Sequence, residues 1–446
     1  MRILHVPYTY FPDPCGGTEV YVRGLVRELA RVGYGSAVAA PAPVASTYVA
    51  DGIDVYRFAT DLRPRRDLAY GMPDEIAADG FCDIVSRVRP QLVHLHARTS
   101  AVSERLADIA HMAGAKVVVT YHTPTVSCAR GTMLLYGTEP CDGTLHAHRC
   151  AACLLTSHGV PKAVAAGIAR VVGPFSAVAA RHVRHGRTLA AVAVPGYLAA
   201  AQERFHVLMT TADHVVAVCQ WVFDVLQRNG VPAAKLTLSR QGVDAVPTAG
   251  VRGSERSPDG PLRLAYFGRV DHAKGPDLLV DALLQHPEVL ARLDIYAVRQ
   301  GDNNSPFERL TARVSGDARI SIRNALPADA VVTRMAEYDM IAVPSRWLET
   351  GPLVVLEAFA AGVPVLGARL GGIAELVRDG IDGVLVPSDD VGAWSREIAA
   401  VSADRGRIEV LRRGIQPPRT MRDVARDMAG IYARVLAQSH MPASAD

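Results

Sequence analysis

Lysine is almost missing from this chain. Only Lys116, Lys162, Lys235 and Lys274 occur, and every other member of the 48 lysines and arginines is arginine. A lysine inside a motif is therefore informative. A dominant charge sign is missing too: 48 basic against 45 acidic residues leave a formal net charge of +3, which speaks against a dedicated nucleic-acid binder. Long unbroken apolar runs are also absent. The opening MRILHVPYTYFP is interrupted by Pro7 and Pro12 before the core of an export signal could form. The most apolar later stretch, Leu189 to Ala201, is broken by Pro195 and Gly196 and is too short to span a bilayer. A cytoplasmic protein with reduced thiols is expected.

What is present is ample core material. The 446 residues, at roughly 150 per domain, allow two or three domains, and 49% hydrophobic content excludes a disordered chain. Short apolar runs alternate with helix-length amphipathic stretches: a strand over Arg2 to Val6, a helix over Thr18 to Val32, a strand over Ser36 to Ala40. The rhythm continues through strands at Gln91 to His96 and Lys116 to Thr120, weakens between Pro124 and Arg204, and resumes with His214 to Cys219. Such alternation with short connections predicts parallel α/β sheets. AVPTAGVRGSERSPDG, from Ala245 to Gly260, reads as an interdomain linker. Strands restart at Leu262 to Phe267 and Leu293 to Val298. The expected division is 1–248, carrying an inserted segment at about 124–160, then 261–420, then a final helix within 421–440 that could pack on either domain.

Three strand-to-loop junctions carry chemistry. In PDPCGGTEV, Gly16 and Gly17 lie between a strand and a helix, where bare backbone can approach an anion. In LAYFGRVDHAKGPDLL, Gly268, Arg269, Lys274 and Gly275 follow a strand, and Pro276 suits a first helical position. Arginine can fork onto phosphate oxygens while lysine adds a mobile point charge, a pairing that suits a diphosphate. In VPSRWLETGPLVVLEAFAAGVPV, Glu349 precedes a helix opened by Pro352 and Leu353, and Glu357 falls inside it among apolar neighbours. A carboxylate there is costly unless a partner or a hydroxyl-rich ligand meets it.

Two glutamates separated by seven residues, the Gly-Arg and Lys-Gly loop, the N-terminal Gly-Gly loop and the tail GGIAELVRDGIDGVLV together resemble glycosyltransferase family 4, over about Met1 to Val401. The resemblance implies a GT-B fold, two facing Rossmann-like domains with a cleft between them, here with a Cys-rich insertion in the N-terminal domain. It implies a retaining, hexosyltransferase-type enzyme with metal-independent catalysis, moving a sugar from a nucleotide-diphosphate sugar to a hydroxyl acceptor that is a glycan, a lipid-linked molecule or a small natural product. A relative working as a nucleotide-sugar epimerase or pseudo-glycosyltransferase is the alternative, and a nonenzymatic nucleotide-sugar binder is the third reading. By the same resemblance Gly268, Arg269 and Lys274 hold the diphosphate, with Arg269 and Lys274 stabilising its charge. Glu357 bonds the ribose, Pro352 and Leu353 shape the donor site, and Glu349 contacts the transferred sugar. Gly16 and Gly17 approach the donor from the other domain, and His122, in VVVTYHTP, stands beside the reacting sugar. The chain departs from the family pattern at IYAVRQGDN, where Ala297 to Arg299 replace small residues, and at Asn324 and Ala325. These are positions near the base and phosphates.

Cys128, Cys141, Cys150 and Cys153 give C-x12-C-x8-C-x2-C, closing with a CxxC knuckle. Four thiolates suit a structural tetrahedral zinc. An iron–sulfur cluster, a redox switch and scattered reduced thiols are the other readings, with His146 and His148 as spare ligands. Cys15, Cys82 and Cys219 read as bystanders. Arginine-rich RPRR at Arg63 to Arg66 and RHVRHGR at Arg181 to Arg187 could touch anionic headgroups, placing the protein peripherally at the inner face of the membrane, or could be solvated surface. Tyr8, Tyr10, Glu19, His96 and Arg98 fall at N-domain strand ends without an assigned role.

Overall fold

The computed structural model describes residues 1–13, 16–63, 66–171, 187–244, 260–298 and 305–438. Cys15, the linker over 245–259, Arg299, Arg65, Arg181 and Arg184 lie outside the described residues. The chain divides into two compact units, Met1–Arg240 with Arg422–Asp446, and Gln241–Met421.

The first unit is built on an eight-stranded sheet. Its strands are β1 (Arg2–Val6), β2 (Gly35–Ala42), β3 (Ser46–Ala50), β4 (Ile53–Ala59), β5 (Leu92–Leu95), β6 (Lys116–Tyr121), β9 (His214–Ala217) and β10 (Leu236–Leu238), with a separate two-stranded hairpin of β7 (Leu134–Leu135) and β8 (Glu139–Pro140). The order is β10-β9-β6-β5-β1-β2-β4-β3, and every pairing is parallel except that of β3 with β4. β5 and β9 are buried at every position, as strands covered by helices on both faces must be. Leu4, Phe81, Val93, Val117, Leu208 and Val215 belong to its core.

The second unit carries β11 (Leu262–Arg269), β12 (Ala291–Val298), β13 (Ile320–Asn324), β14 (Met340–Val343), β15 (Val365–Ala368) and β16 (Gly383–Val386). Their order is β13-β12-β11-β14-β15-β16, and all pairs are parallel. In both sheets the chain builds outward on one side and then returns to build the other. The switch points fall between β1 and β5 and between β11 and β14. Open sheets of this kind bind ligands outside the carboxyl ends of the strands at the switch point.

Two stretches differ from expectation for local physical reasons. Ser46–Ala50 and Ile53–Ala59 form a hairpin whose turn residues Asp51 and Gly52 take positive φ values of 53° and 77°, the geometry an Asp-Gly pair favours. The run through Pro195 is helical, part of one helix over Arg187–Thr211. Proline removes a backbone donor there, but Ala193, Val194, Tyr197 and Leu198 are all buried, and that packing offsets the loss. No helix among the described residues is long and apolar enough to cross a membrane.

The last helix, Met421–Ala437, completes the first unit. Val424, Met428, Ile431, Tyr432 and Val435 on it are buried, and the Tyr432 hydroxyl lies 2.7 Å from Nδ1 of buried His94. Tyr432→Phe should leave that nitrogen unsatisfied and lower stability by about 1–3 kcal/mol. A denaturant midpoint unchanged from the parent would show that the bond contributes nothing.

Candidate functional site

In the second unit the loops after β11 and β14 bring the predicted residues together. Gly275 precedes the helix Pro276–Leu284 in a left-handed conformation, φ 71°, which glycine alone adopts without strain. Asp271 Oδ1 accepts from the Lys274 backbone N–H at 2.9 Å, so the loop folds back and presents the Lys274 side chain. Its Nζ donates to Glu349 Oε1 at 2.6 Å and lies 5.1 Å from the Trp347 ring centre, within cation–π range. Glu349 also accepts from Ser345 Oγ at 2.7 Å. Burial by itself would push the Glu349 carboxyl up, but the Lys274 ammonium and the bonds from Lys274 and Ser345 outweigh it and hold the group below its usual range. Glu349 is therefore a buried, ionised and oriented carboxylate.

Arg269 sits at the end of β11 with Nε 3.5 Å from Asp271 Oδ2 and about a third of its side chain exposed. Gly268, beside it, faces the Tyr266 hydroxyl, which would lie 2.8 Å from an added Cβ. Pro352 caps and Leu353 opens the helix Leu353–Ala360. Glu357, one turn further on, is held differently from Glu349. Burial raises its pKa to about 7, and among the described residues no hydrogen bond or ion pair engages its carboxylate.

Three neighbours of this site were not singled out by sequence. Ser345 orients Glu349 through its hydroxyl, Trp347 sets its ring beside Lys274, and Gly372 donates its N–H to the Glu349 carbonyl at 2.6 Å. A Cβ at Gly372 would sit 2.7 Å from that same oxygen, so the Gly-Gly pair of GGIAEL is the only chemistry that lets this backbone close on the Glu349 loop. That pair was legible as a motif; its target was not.

In the first unit Gly16 is the N-cap of the helix Gly17–Arg31. The Gly16 N–H, expected to face a ligand, instead donates to Glu19 Oε2 at 2.8 Å. A glutamate three residues into the helix satisfies this donor as a capping box does. Burial raises the Glu19 carboxyl despite that bond.

His122 follows β6 and is buried. It ends a row of histidines at the strand ends: His122 Nε2 lies 3.1 Å from His96 Nδ1, and His96 Nε2 lies 3.1 Å from His5 Nδ1. Tyr21 packs edge-on against His122 with ring centres 4.6 Å apart. Burial drives the pKa of His5 and His122 to about 3 and that of His94 and His96 well below the ordinary value. All four rings are neutral at physiological pH, so each nitrogen's role as donor or acceptor is set by its neighbour.

The four-thiolate zinc shell is not formed. Cys128, Cys141, Cys150 and Cys153 line one cavity of about 40 Å³, but no three of them have sulfurs within 4.8 Å of one another. Among the described residues only His5, His94 and His96 meet that test, and His94 is already bonded to Thr120 and Tyr432. The reason is local: the CxxC lies inside the helix Ala147–Ser157, not on a knuckle. Cys153 Sγ there accepts from the Tyr136 N–H at 3.1 Å. Burial pushes the Cys141 and Cys150 thiols up. His148 Nδ1 lies 2.7 Å from the Ala169 carbonyl, and His146 is the N-cap of the same helix. The segment also has an apolar cluster of its own, with Ala152, Leu154 and Leu155 against Ala165, Val194 and Leu198.

Residues 250–416 match the family described as glycosyl transferases group 1. Residues 15–246, more than half of the chain, match the one described as Glycosyltransferase Family 4. The chain belongs to glycosyltransferase family 4. Its similar relatives include a D-inositol 3-phosphate glycosyltransferase of Salinispora tropica, 32% identical over 257 residues that make up 52% of this chain and 53% of that protein. The chain thus spans about half the length of the curated relatives it matches. Solved structures show the same GT-B fold: a sucrose-phosphate synthase from Thermosynechococcus elongatus, at TM-score 0.67 and 18% identity, covers 98% of this chain and all of its own. Anabaena HepE in complex with UDP, at TM-score 0.63 and 16% identity, covers 97% of this chain and all of its own.

Proposed function

We propose that this chain is a retaining glycosyltransferase that moves a hexosyl group from a nucleotide-diphosphate sugar to a hydroxyl acceptor. The observation that carries the reading is the pairing of Lys274 with a buried, ionised Glu349 at the switch point of the second sheet, together with a Glu357 carboxylate that no hydrogen bond or ion pair engages among the described residues. Lys274 and Arg269 supply positive charge for the departing diphosphate. Stabilising charge that develops only as the bond breaks is the largest single contribution such a site can make. Glu349 accepts from a hydroxyl of the sugar, and Glu357 accepts from the ribose hydroxyls. In the first unit His122 is the residue proposed to act on the reacting sugar. The acceptor oxygen bonds to the anomeric carbon as the bond from that carbon to the diphosphate oxygen breaks. The acceptor's proton passes to the leaving oxygen on the same face, which retains configuration.

Incubation with UDP- and GDP-sugars tests this. Release of nucleotide diphosphate, with an α-linked donor giving an α-linked product, is expected. An epimerised nucleotide sugar, or binding without turnover, would replace the proposal.

Glu357 gives a pH-dependent expectation. With a pKa raised to about 7 from an ordinary 4.5, the folded state keeps a proton that the unfolded state has lost. Its contribution to stability is full below about 4.5 and is lost as pH rises through about 7. Donor binding runs the opposite way, because the carboxylate accepts two hydroxyl bonds best when ionised. Donor affinity should fall as pH drops below about 7. Glu357→Gln should weaken the donor roughly 10- to 100-fold and flatten both pH trends. Equal donor affinity for parent and variant across pH 5 to 8, measured by calorimetry, would remove Glu357 from the ribose.

A further inference from the structure

The row of buried histidines in the first unit does more than hold one ring in place. It crosses the neighbouring strands β2, β1, β5 and β6 in that order, with Ser36 on β2, His5 on β1, His96 just past β5 and His122 just past β6. Ser36 Oγ lies 3.5 Å from His5 Nε2, His5 Nδ1 lies 3.1 Å from His96 Nε2, and His96 Nδ1 lies 3.1 Å from His122 Nε2. Half-buried Ser36 is the outer end of the row, and the rings of His5, His96 and His122 are buried. His94 stacks on His96 with ring centres 3.9 Å apart. Its own nitrogens bond to the hydroxyls of Tyr432 and Thr120, so it stands beside the row and not in it.

Burial keeps every ring of the row neutral, and a charge on His96 would also be opposed by His94, His122 and His5. A neutral imidazole has one N–H and one bare nitrogen. His96 uses both of its nitrogens within the row, so it must donate to one neighbour and accept from the other. If its proton is on Nδ1, that proton points at a bare His122 Nε2, and His122 holds its own proton on Nδ1. The bare His96 Nε2 then accepts from His5 Nδ1–H, and His5 Nε2 accepts from the Ser36 hydroxyl. The reverse arrangement puts all three protons on Nε2, with His5 donating to Ser36 Oγ. Any mixture sets two N–H groups or two lone pairs against each other in a buried place, which is costly. Because His96 engages His122 Nε2, any other group that His122 meets is met at Nδ1. That nitrogen is a donor in the first arrangement and an acceptor in the second.

We propose that His5 and His96 are positioning residues for His122: the row is a tautomer lock in which all three rings hold their proton on the same nitrogen, so the donor or acceptor role of His122 is decided two strands away, on β1. The lock rests on this geometry, and its use in sugar transfer rests on the transferase reading above. Nitrogen NMR of the full chain carrying isotope-labelled histidine, at neutral pH, tests it, with signals assigned from single glutamine substitutions of the three histidines. The parent is expected to show one shared tautomer at His5, His96 and His122. Two variants should then drive the row in opposite directions. In His5→Phe a proton on His96 Nε2 would point at hydrocarbon, so His96 and His122 should both carry theirs on Nδ1. In His122→Phe the same argument applies at the other end, so His5 and His96 should both carry theirs on Nε2. Where His5→Phe reverses His122, donor turnover should fall about fivefold, the worth of one hydrogen bond. Unlike tautomers within the parent row, an imidazolium or a bound metal at any of its rings, or a His96 that holds the same tautomer in both variants would overturn the lock. If a variant fails to fold, the parent spectrum decides by itself. A reversed His122 with turnover unchanged from the parent would overturn the positioning role. A lock seen in the parent and in both variants, in a protein that consumes no donor, would retain the lock and remove the transferase reading.

Discussion

Lys274→Ala is expected to lower donor turnover by about a hundred- to a thousandfold, the loss that follows removal of one preorganised charge donor from a leaving group. The same change has a structural cost. Lys274 holds Glu349 at 2.6 Å, and Glu349 is buried, so the alanine variant strands a carboxylate. Breaking a buried pair usually costs about 3–5 kcal/mol. Because a quarter of the lysine side chain is exposed and Ser345 still donates to Glu349, about 2 kcal/mol is expected here. Without the ammonium, burial dominates and the Glu349 carboxyl rises, so the acidic limb of the pH–rate profile should move to higher pH. Combining Lys274→Ala with Glu349→Gln should recover most of the stability and none of the activity. Kinetics and thermal unfolding of the three variants separate the two effects. A single variant that keeps turnover within twofold of the parent would remove Lys274 from the diphosphate.

The second large effect is expected at Gly275. An alanine methyl there would fall 2.3 Å from the Pro344 carbonyl oxygen, and φ is 71°. The clash is with backbone, so no side chain can swing away, and Pro344 leads directly into the loop that carries Ser345 and Glu349. Gly275→Ala should cost about 2–4 kcal/mol and weaken the donor as that loop shifts. Gly362 is the control: it has φ 68° but nothing within 4 Å of an added Cβ, so Gly362→Ala should cost only about 1 kcal/mol. Equal denaturation midpoints for the two variants would show that the contact with Pro344 does not matter.

The alternation of apolar runs and amphipathic helices was legible because parallel strands such as β5 and β14 are buried at every position and cannot be written with polar residues. The junction motifs were legible because glycine, proline and the scarce lysine each do something locally that few residues can. The hairpin of β3 and β4 carried a readable Asp-Gly signal in a short edge element with little apolar content. The cysteines misled because spacing alone does not say whether a CxxC sits on a turn or a helix, and Ala147–Ser157 made that choice through its apolar face. Gly16 was read as an open donor, but Glu19 three residues on closes it. The roles of Ser345, Trp347 and Gly372 were out of reach for another reason. Ser345 reaches Glu349 only within the folded loop after β14, Trp347 meets Lys274 only once the loops after β11 and β14 have met, and Gly372 reaches Glu349 only once the loop after β15 has closed on it.

The return of the last helix to the first unit has a consequence for how the protein is made. His94 and its partner Tyr432 are 338 positions apart in sequence, and the whole of the second unit is synthesised between them. While the ribosome is still delivering that unit, the surface awaiting Val424, Met428, Ile431 and Tyr432 is uncovered. The second unit, continuous from Gln241 to Met421, can close on its own as it emerges. The first to be translated is therefore the last to be finished, and its nascent form must be kept from aggregating until the chain's final helix arrives.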